Sequence, residues 1–432
     1  MSKILKCITL AVVMLLIVTA CGPNRSKEDI DKALNKDNSK DKPNQLTMWV
    51  DGDKQMAFYK KITDQYTKKT GIKVKLVNIG QNDQLENISL DAPAGKGPDI
   101  FFLAHDNTGS AYLQGLAAEI KLSKDELKGF NKQALKAMNY DNKQLALPAI
   151  VETTALFYNK KLVKNAPQTL EEVEANAAKL TDSKKKQYGM LFDAKNFYFN
   201  YPFLFGNDDY IFKKNGSEYD IHQLGLNSKH VVKNAERLQK WYDKGYLPKA
   251  ATHDVMIGLF KEGKVGQFVT GPWNINEYQE TFGKDLGVTT LGKDLGVTTL
   301  PTDGGKPMKP FLGVRGWYLS EYSKHKYWAK DLMLYITSKD TLQKYTDEMS
   351  EITGRVDVKS SNPNLKVFEK QARHAEPMPN IPEMRQVWEP MGNASIFISN
   401  GKNPKQALDE ATNDITQNIK ILHPSQNDKK GD

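Results

Sequence analysis

Apolar positions along this chain fall into short runs that alternate between a period of two and a period near four. Leu46 to Val50 is a brief apolar run, and Phe58, Ile62 and Tyr66 follow at i, i+4 spacing. That pattern predicts a strand and then an amphipathic helix ending near Gly71. Ile72, Val74 and Leu76 alternate with polar residues as a second strand would, and Asp99 to Leu103 (DIFFL) and Leu145 to Val151 read as buried strands. Thr169-Leu-Glu-Glu172 is a capping box opening a helix toward Leu180. Ser228 leads a helix through Val231, Ala235, Leu238 and Trp241; Asn403-Pro404 opens one through Ala407, Ala411, Ile415 and Ile419. Strands alternating with helices imply an α/β fold with helices on both faces of mostly parallel sheets, and 432 residues accommodate two such lobes.

The flanks read differently. Lys3 and Lys6 precede an apolar run from Ile8 to Val18, too short for a bilayer core of ~20 residues and therefore a targeting segment rather than a spanning helix. Val18-Thr19-Ala20-Cys21-Gly22 resembles a lipobox, so residues 1–20 are expected to be removed and Cys21 to become the lipidated N-terminus. Residues 22–44 are charged and nearly free of apolar side chains, which predicts a flexible tether; residues 423–432 read as a frayed tail. Residues 283–291, GKDLGVTTL, recur unchanged at 292–300. The period is too short for a solenoid, so one copy is expected to fill a strand position and the other to form a surface loop.

Composition narrows the function classes. Hydrophobic residues make up 39% and charged residues 26%, which excludes a multi-span membrane protein and a fully disordered chain. Lys plus Arg number 61 against 52 Asp plus Glu, a net +9 with the signs interleaved, and no Arg-rich stripe points to nucleic acid. Cys7 and Cys21 alone build neither a disulfide framework nor a four-cysteine zinc site. The sequence carries no HExxH, GxxxxGK[ST], GxSxG or GxGxxG motif, and its seven histidines are scattered, so no metal or cofactor is expected. Carboxylates are plentiful enough to leave a glycosidase pair open.

Polar residues stand where strands should end: Asp51-Gly-Asp53-Lys54, Ala104-His-Asp106-Asn107, and Glu152. In a parallel α/β sheet that edge is where ligands bind, although helix capping accounts equally for Asp53 and Asp106. Tyr198, Trp273 and Trp388 are large aromatics beside polar residues, Gly or Pro, and from the residues alone they suit a core as well as a ligand platform.

MWVDGDK (48–54), GPDIFFLAHD (97–106), PAIVETTALFYNK (148–160), TGPW (270–273), KPFLGV (309–314) and MPNIPEM (378–384) resemble, in order and spacing, the maltose- and maltodextrin-binding proteins of ABC sugar importers. The resemblance covers essentially residues 46–422. It implies a two-lobe clamp like that of periplasmic binding proteins, with hinge crossovers near 150–155, 311–317 and 358–365. The N-lobe would hold 45–150 and 317–357, the C-lobe 155–311 and 365–422. Asp53, Lys54, Asp106 and Glu152 match the residues that hydrogen-bond sugar hydroxyls, and Tyr198, Trp273 and Trp388 match the aromatics that stack on glucose rings. Leu103, Asn107, Asn196 and Gly392 depart from the tryptophan, arginine, glutamate and arginine of the best-known members. Asn107 and Asn196 are still expected in the site, with Trp317 or Phe197 supplying replacement aromatic surface. The implied protein is a monomeric, lipid-anchored, non-enzymatic receptor outside the cell that delivers malto-oligosaccharides to a permease. A receptor of the same fold for another oligosaccharide and a surface glycoside hydrolase are its rivals.

Overall fold

The computed structural model describes residues 42–276 apart from Asn207 and Ser217, then Tyr278 and residues 295–423. The leader, Cys21, most of the tether, the first GKDLGVTTL copy and the tail after His423 lie outside the described residues.

Strand β1 (Gln45–Val50) leads into helix α1 (Gly52–Thr70) and strand β2 (Lys73–Asn78). Phe58, Ile62 and Tyr66 are the buried stripe of α1, and Gly71 ends it at φ 77, a left-handed conformation that lets its N–H reach the carbonyl of Thr67. Then come β3 (Ile100–Ala104), β4 (Ala146–Glu152), β5 (Ala155–Asn159), α2 (Leu170–Leu180), β6 (Tyr188–Leu191) and α3 (Phe197–Leu204). At α2 the Thr169 hydroxyl accepts the Glu172 N–H, while Glu172 reaches back to the N–H of Gln168, one residue short of the reciprocal box. Helix α4 (Lys229–Asp243) is capped by Ser228 and buries Val231, Ala235, Leu238 and Trp241. Strands β7 (Val265–Thr270), β8 (Leu295–Thr298) and β9 (Phe311–Leu319) precede α5 (Lys339–Met349) and β10 (Ile352–Thr353). Helices α6 (Arg385–Ser399) and α7 (Pro404–Leu422) follow, the latter capped by Asn403.

The larger sheet runs β10-β4-β9-β3-β1-β2, with Glu376–Pro377 pairing at the start of β9; the smaller runs β8-β5-β7-β6. The expectation of mostly parallel sheets needs correction. Parallel pairing holds for β1 with β2 and β3, for β7 with β6, and for Glu376–Pro377, whereas β9 is antiparallel to β3 and β4, β10 to β4, and β5 to β7 and β8. The reason is directional. β4 leaves the larger sheet for the other lobe, whereas β9 enters that sheet from the other lobe, so two neighbours that share the crossing must run in opposite senses.

Both faces of the larger sheet are buried. Along β1, Leu46, Met48 and Val50 enter one layer with Phe58 and Trp317, while Trp49 enters the other with Phe101 and Leu103. The smaller sheet lies in one continuous core that runs from Ala155 to Ile419. Successive residues change core where the chain crosses: Val151 belongs to the larger-sheet layers and Ala155 to the smaller lobe, Phe311 to the smaller and Leu312 to the larger. A later segment carries the chain from β10 in the larger sheet to Leu365 in the smaller lobe's core. The Thr153 hydroxyl donates to the Phe311 carbonyl at 2.8 Å, tying the first two crossings together.

The second nonapeptide copy supplies β8, paired with β5 from Leu295↔Asn159 to Thr298↔Leu156. Because the copies are identical, deleting residues 283–291 leaves every residue of that strand in the chain. The shortened protein is expected to melt within about 2 °C of the full chain by calorimetry.

Candidate functional site

The carboxyl ends of the larger sheet's strands gather polar side chains at one edge. Asp51 follows β1, His105 and Asp106 follow β3, and Glu152 closes β4. Glu152 pairs in register with Gly313 of β9, and a Cβ at Gly313 would stand 2.7 Å from Glu152 Cγ. The glycine therefore clears the space that the carboxylate occupies. Two residues on, Arg315 points into the same edge from the middle of a strand whose every residue is buried.

A cavity of about 380 Å³ opens between the lobes. Asp51, Lys54, Glu152, Arg315 and Glu351 form its larger-sheet wall; Trp273, Asn274 and Asn276 face them from the turn after β7. In that turn Thr-Gly-Pro-Trp starts a short 3-10 helix, and the Trp273 ring lies over Gly271, where a Cβ would come within 2.0 Å of it. Among the hydrogen bonds that span the lobes, Asn276 Nδ2 donates to the Glu348 carbonyl at 2.9 Å and Trp388 Nε1 donates to Asp106 Oδ2 at 3.2 Å.

Arg315 dominates the electrostatics. Its Nη2 donates to Glu351 Oε2 at 2.7 Å and its Nη1 to Asp51 Oδ2 at 3.4 Å, and its Nε lies 2.9 Å from Glu152 Oε2. That last contact is an ion pair without hydrogen-bond alignment. Burial works against the guanidinium charge, but Glu152 and Glu351 outweigh it and hold Arg315 above its ordinary range. Glu152 and Glu351 are each shifted upward by burial, with Arg315 opposing the shift. Tyr198 adds a buried hydroxyl without a hydrogen-bond partner among the described residues.

The anticipated residues divide by location. Lys54, Glu152 and Trp273 line the cavity. Asp106 is buried, accepting from Trp388 and from Asn107 Nδ2, so these three form a second cluster across the lobes. Tyr198 stacks on Phe311 at 6.1 Å, and Phe311 in turn meets the Trp388 ring at 5.7 Å. Asp53 is exposed and accepts from Asn78 Nδ2, with Asp51 rather than Asp53 on the cavity wall. Asn196 is exposed, and its Oδ1 caps α3 by accepting the Tyr198 N–H at 3.0 Å. Cys21 lies outside the described residues. The expected replacement aromatics are corrected: Trp317 is fully buried against Tyr59 and Phe102, and Phe197 is buried behind Trp388. Each is consumed by packing because its strand or helix face turns toward a core. Leu103 is likewise a core residue.

The family model described as bacterial extracellular solute-binding protein matches residues 61–372. The chain belongs to this family. A Staphylococcus aureus extracellular solute-binding protein, solved in complex with maltose, is 98% identical with a TM-score of 0.77, covering 89% of this chain and all of that one. The galactooligosaccharide-binding protein of Bacillus subtilis is 31% identical across 98% of this chain and 99% of its own length. A maltooligosaccharide ABC transporter solute-binding lipoprotein of Streptococcus pneumoniae is 29% identical across 94% of each.

In this solute-binding protein the charged wall residues outside the expected site are Asp51, which the sequence places only within the strand-end run Asp51-Gly-Asp53-Lys54, Arg315 and Glu351. One signal for Arg315 was present: a lone charge inside Phe311–Leu319, otherwise apolar or small apart from Tyr318. Glu351 carried none, since its place depends on Ser350 turning through φ 56 after α5.

Burial lifts the Asp106 carboxyl to about 6, against partial relief from the Trp388 and Asn107 hydrogen bonds. A carboxyl raised in the folded state loses stability as pH climbs from its unfolded value, near 4, through 6, because the native site resists ionisation. Asp106→Asn keeps an acceptor for Trp388 and is expected to be more stable than the parent at pH 7 by roughly 1–3 kcal/mol. The gain should vanish toward pH 4 when denaturant midpoints are compared across pH.

Proposed function

We propose that this solute-binding protein captures maltose and longer α-1,4-linked glucans between its lobes and delivers them to an ABC importer in the cytoplasmic membrane. The observation that carries the reading is the pairing of opposite walls, acceptor carboxylates facing the Trp273 ring across one cavity. A glucose ring has apolar C–H faces and a rim of hydroxyls. The aromatic covers a face while carboxylates accept hydroxyl hydrogens in fixed directions. The maltose complex of the 98% identical protein supports the choice of sugar.

The lobes in this proposal are residues 45–150 with 317–357 and residues 155–311 with 365–422, hinged where the chain crosses between them. Sugar touching both walls stabilises the closed form by its differential affinity, and the permease recognises that form. The receptor acts as a monomer and releases its ligand intact. Glu152 lies against the Arg315 guanidinium, which favours its ionised, acceptor form over a proton-donating acid, and Asp106 is bonded to Trp388 and Asn107. The family is described as extracellular, and the Streptococcus pneumoniae relative is a lipoprotein. We assign the attachment here to lipid on Cys21, and Cys21→Ala is expected to move the protein from the cell fraction to the medium and to abolish labelling by an alkyne fatty acid.

The full-length similarity to a galactooligosaccharide-binding protein favours a second reading, the same cleft tuned to galactosides. Isothermal titration of the protein from Lys42 onward separates the two. Saturable one-to-one binding to maltose, maltotriose and maltotetraose is expected, with no heat from galactooligosaccharides and no glucose released over hours. Trp273→Ala should weaken maltotriose binding roughly tenfold through loss of the stacking face. Glu152→Gln should weaken it by roughly 10- to 100-fold through loss of a charged acceptor. Unchanged affinity in both variants contradicts the cleft assignment.

A further inference from the structure

The ion cluster beneath the sugar cavity is unbalanced. Asp51, Glu152 and Glu351 approach one guanidinium at 3.4, 2.9 and 2.7 Å, so three acids share a single buried cation. Their side chains are 24, 13 and 11% exposed, and water screens them weakly. Lys54, the other cation lining that wall, is exposed and outside the ion cluster, so the charge balance of the wall rests on Arg315.

We propose that Arg315 is the positioning residue of the sugar cleft, acting through Glu152: it keeps that carboxylate ionised and oriented as an acceptor, so that sugar affinity stays level across neutral pH. The inference rests on the reading of the cavity as a sugar site. Geometry separates this role from simple structural support. Arg315 Nε stands 2.9 Å from Glu152 Oε2 out of hydrogen-bond alignment, whereas Asp51 and Glu351 take aligned guanidinium bonds and Glu351 also accepts from the Tyr345 hydroxyl. The cluster thus divides its labour. Glu351 and Asp51 anchor the guanidinium, and Glu152 is left free to accept from a ligand.

Other titratable groups face the cluster from each element around it. Tyr59 of α1 and Tyr345 of α5 lie on the Glu351 side, and Asp106 after β3 and Tyr198 of α3 lie on the Glu152 side. The tyrosines stay neutral through the physiological range because burial raises them. None of these groups adds positive charge. Loss of Arg315 therefore leaves Glu152 among acids, and a proton is the remaining means of neutralising it.

The test uses the protein from Lys42 onward, with Arg315→Gln and Arg315→Lys, and two readouts. The first is sugar-free: side-chain carboxyl carbon NMR, with Glu152 assigned by its loss in Glu152→Gln. Glu152 is expected to titrate at least one pH unit higher in Arg315→Gln than in the parent and to return most of the way in Arg315→Lys. The second is maltotriose affinity from pH 5.5 to 8. The parent should vary less than about threefold, while Arg315→Gln should bind at least tenfold more weakly at pH 6 and recover as pH rises. An unshifted Glu152 titration, or affinity lost equally at every pH, overturns the proposal. If Arg315→Gln does not fold, Glu351→Gln decides: with one competitor removed, Glu152 should titrate lower than in the parent, and an unchanged titration overturns the proposal. A parent that binds no α-glucan contradicts the sugar reading instead, and the NMR titration still decides the role of Arg315.

Discussion

One guanidinium buried among three carboxylates is the constraint on which the cleft depends. Arg315 stands on β9, the strand that enters the larger sheet from the smaller lobe, so the charge that organises the ligand wall is fixed to a hinge crossing. A buried ion cluster is weak evidence for stability, since desolvation consumes much of the Coulombic gain. Its value lies in geometry: it fixes where acceptors point. The glycine at 313 serves the same end by leaving the Glu152 side chain room to lie across the sheet edge.

The two halves of the cleft work by different means. Around Arg315 the wall is ionic and faces Trp273 over open volume. Around Asp106 the lobes are already in contact through the Trp388 indole, backed by the stack of Phe311 on Tyr201 at 3.8 Å. His105 reinforces that side, its Nε2 against the Met378 carbonyl and its Nδ1 accepting the Val314 N–H. Burial lowers this imidazole to about 4, so it is neutral at physiological pH and can play donor and acceptor at once. A sugar entering such a cleft meets one end where the lobes touch and one end that is open.

Much of this was legible from the residues. The stripe Phe58, Ile62, Tyr66, the caps at Ser228 and Asn403 and the buried run DIFFL are local patterns, and local patterns survive folding. Strand direction was not legible, because it follows from where the chain crosses between lobes rather than from periodicity. The site divided along the same line. Glu152 and Trp273 stand at strand ends and in a glycine-proline turn that the sequence advertises, whereas Glu351 arrives through a left-handed serine after α5. Trp317 and Phe197 show the opposite failure: aromatic character was visible, but the face each presents was decided by alternation along β9 and by the packing of α3.

The central claim is that sugar binds between the Arg315 cluster and Trp273. A crystal structure of the protein grown with saturating maltotetraose tests it most directly. The account predicts a glucose ring lying flat on the Trp273 indole, with a hydroxyl about 2.6–3.0 Å from a Glu152 carboxylate oxygen and Arg315 still bridging Asp51 and Glu351. Sugar bound elsewhere on the surface, or a cleft that remains empty of it at saturation, would contradict the account.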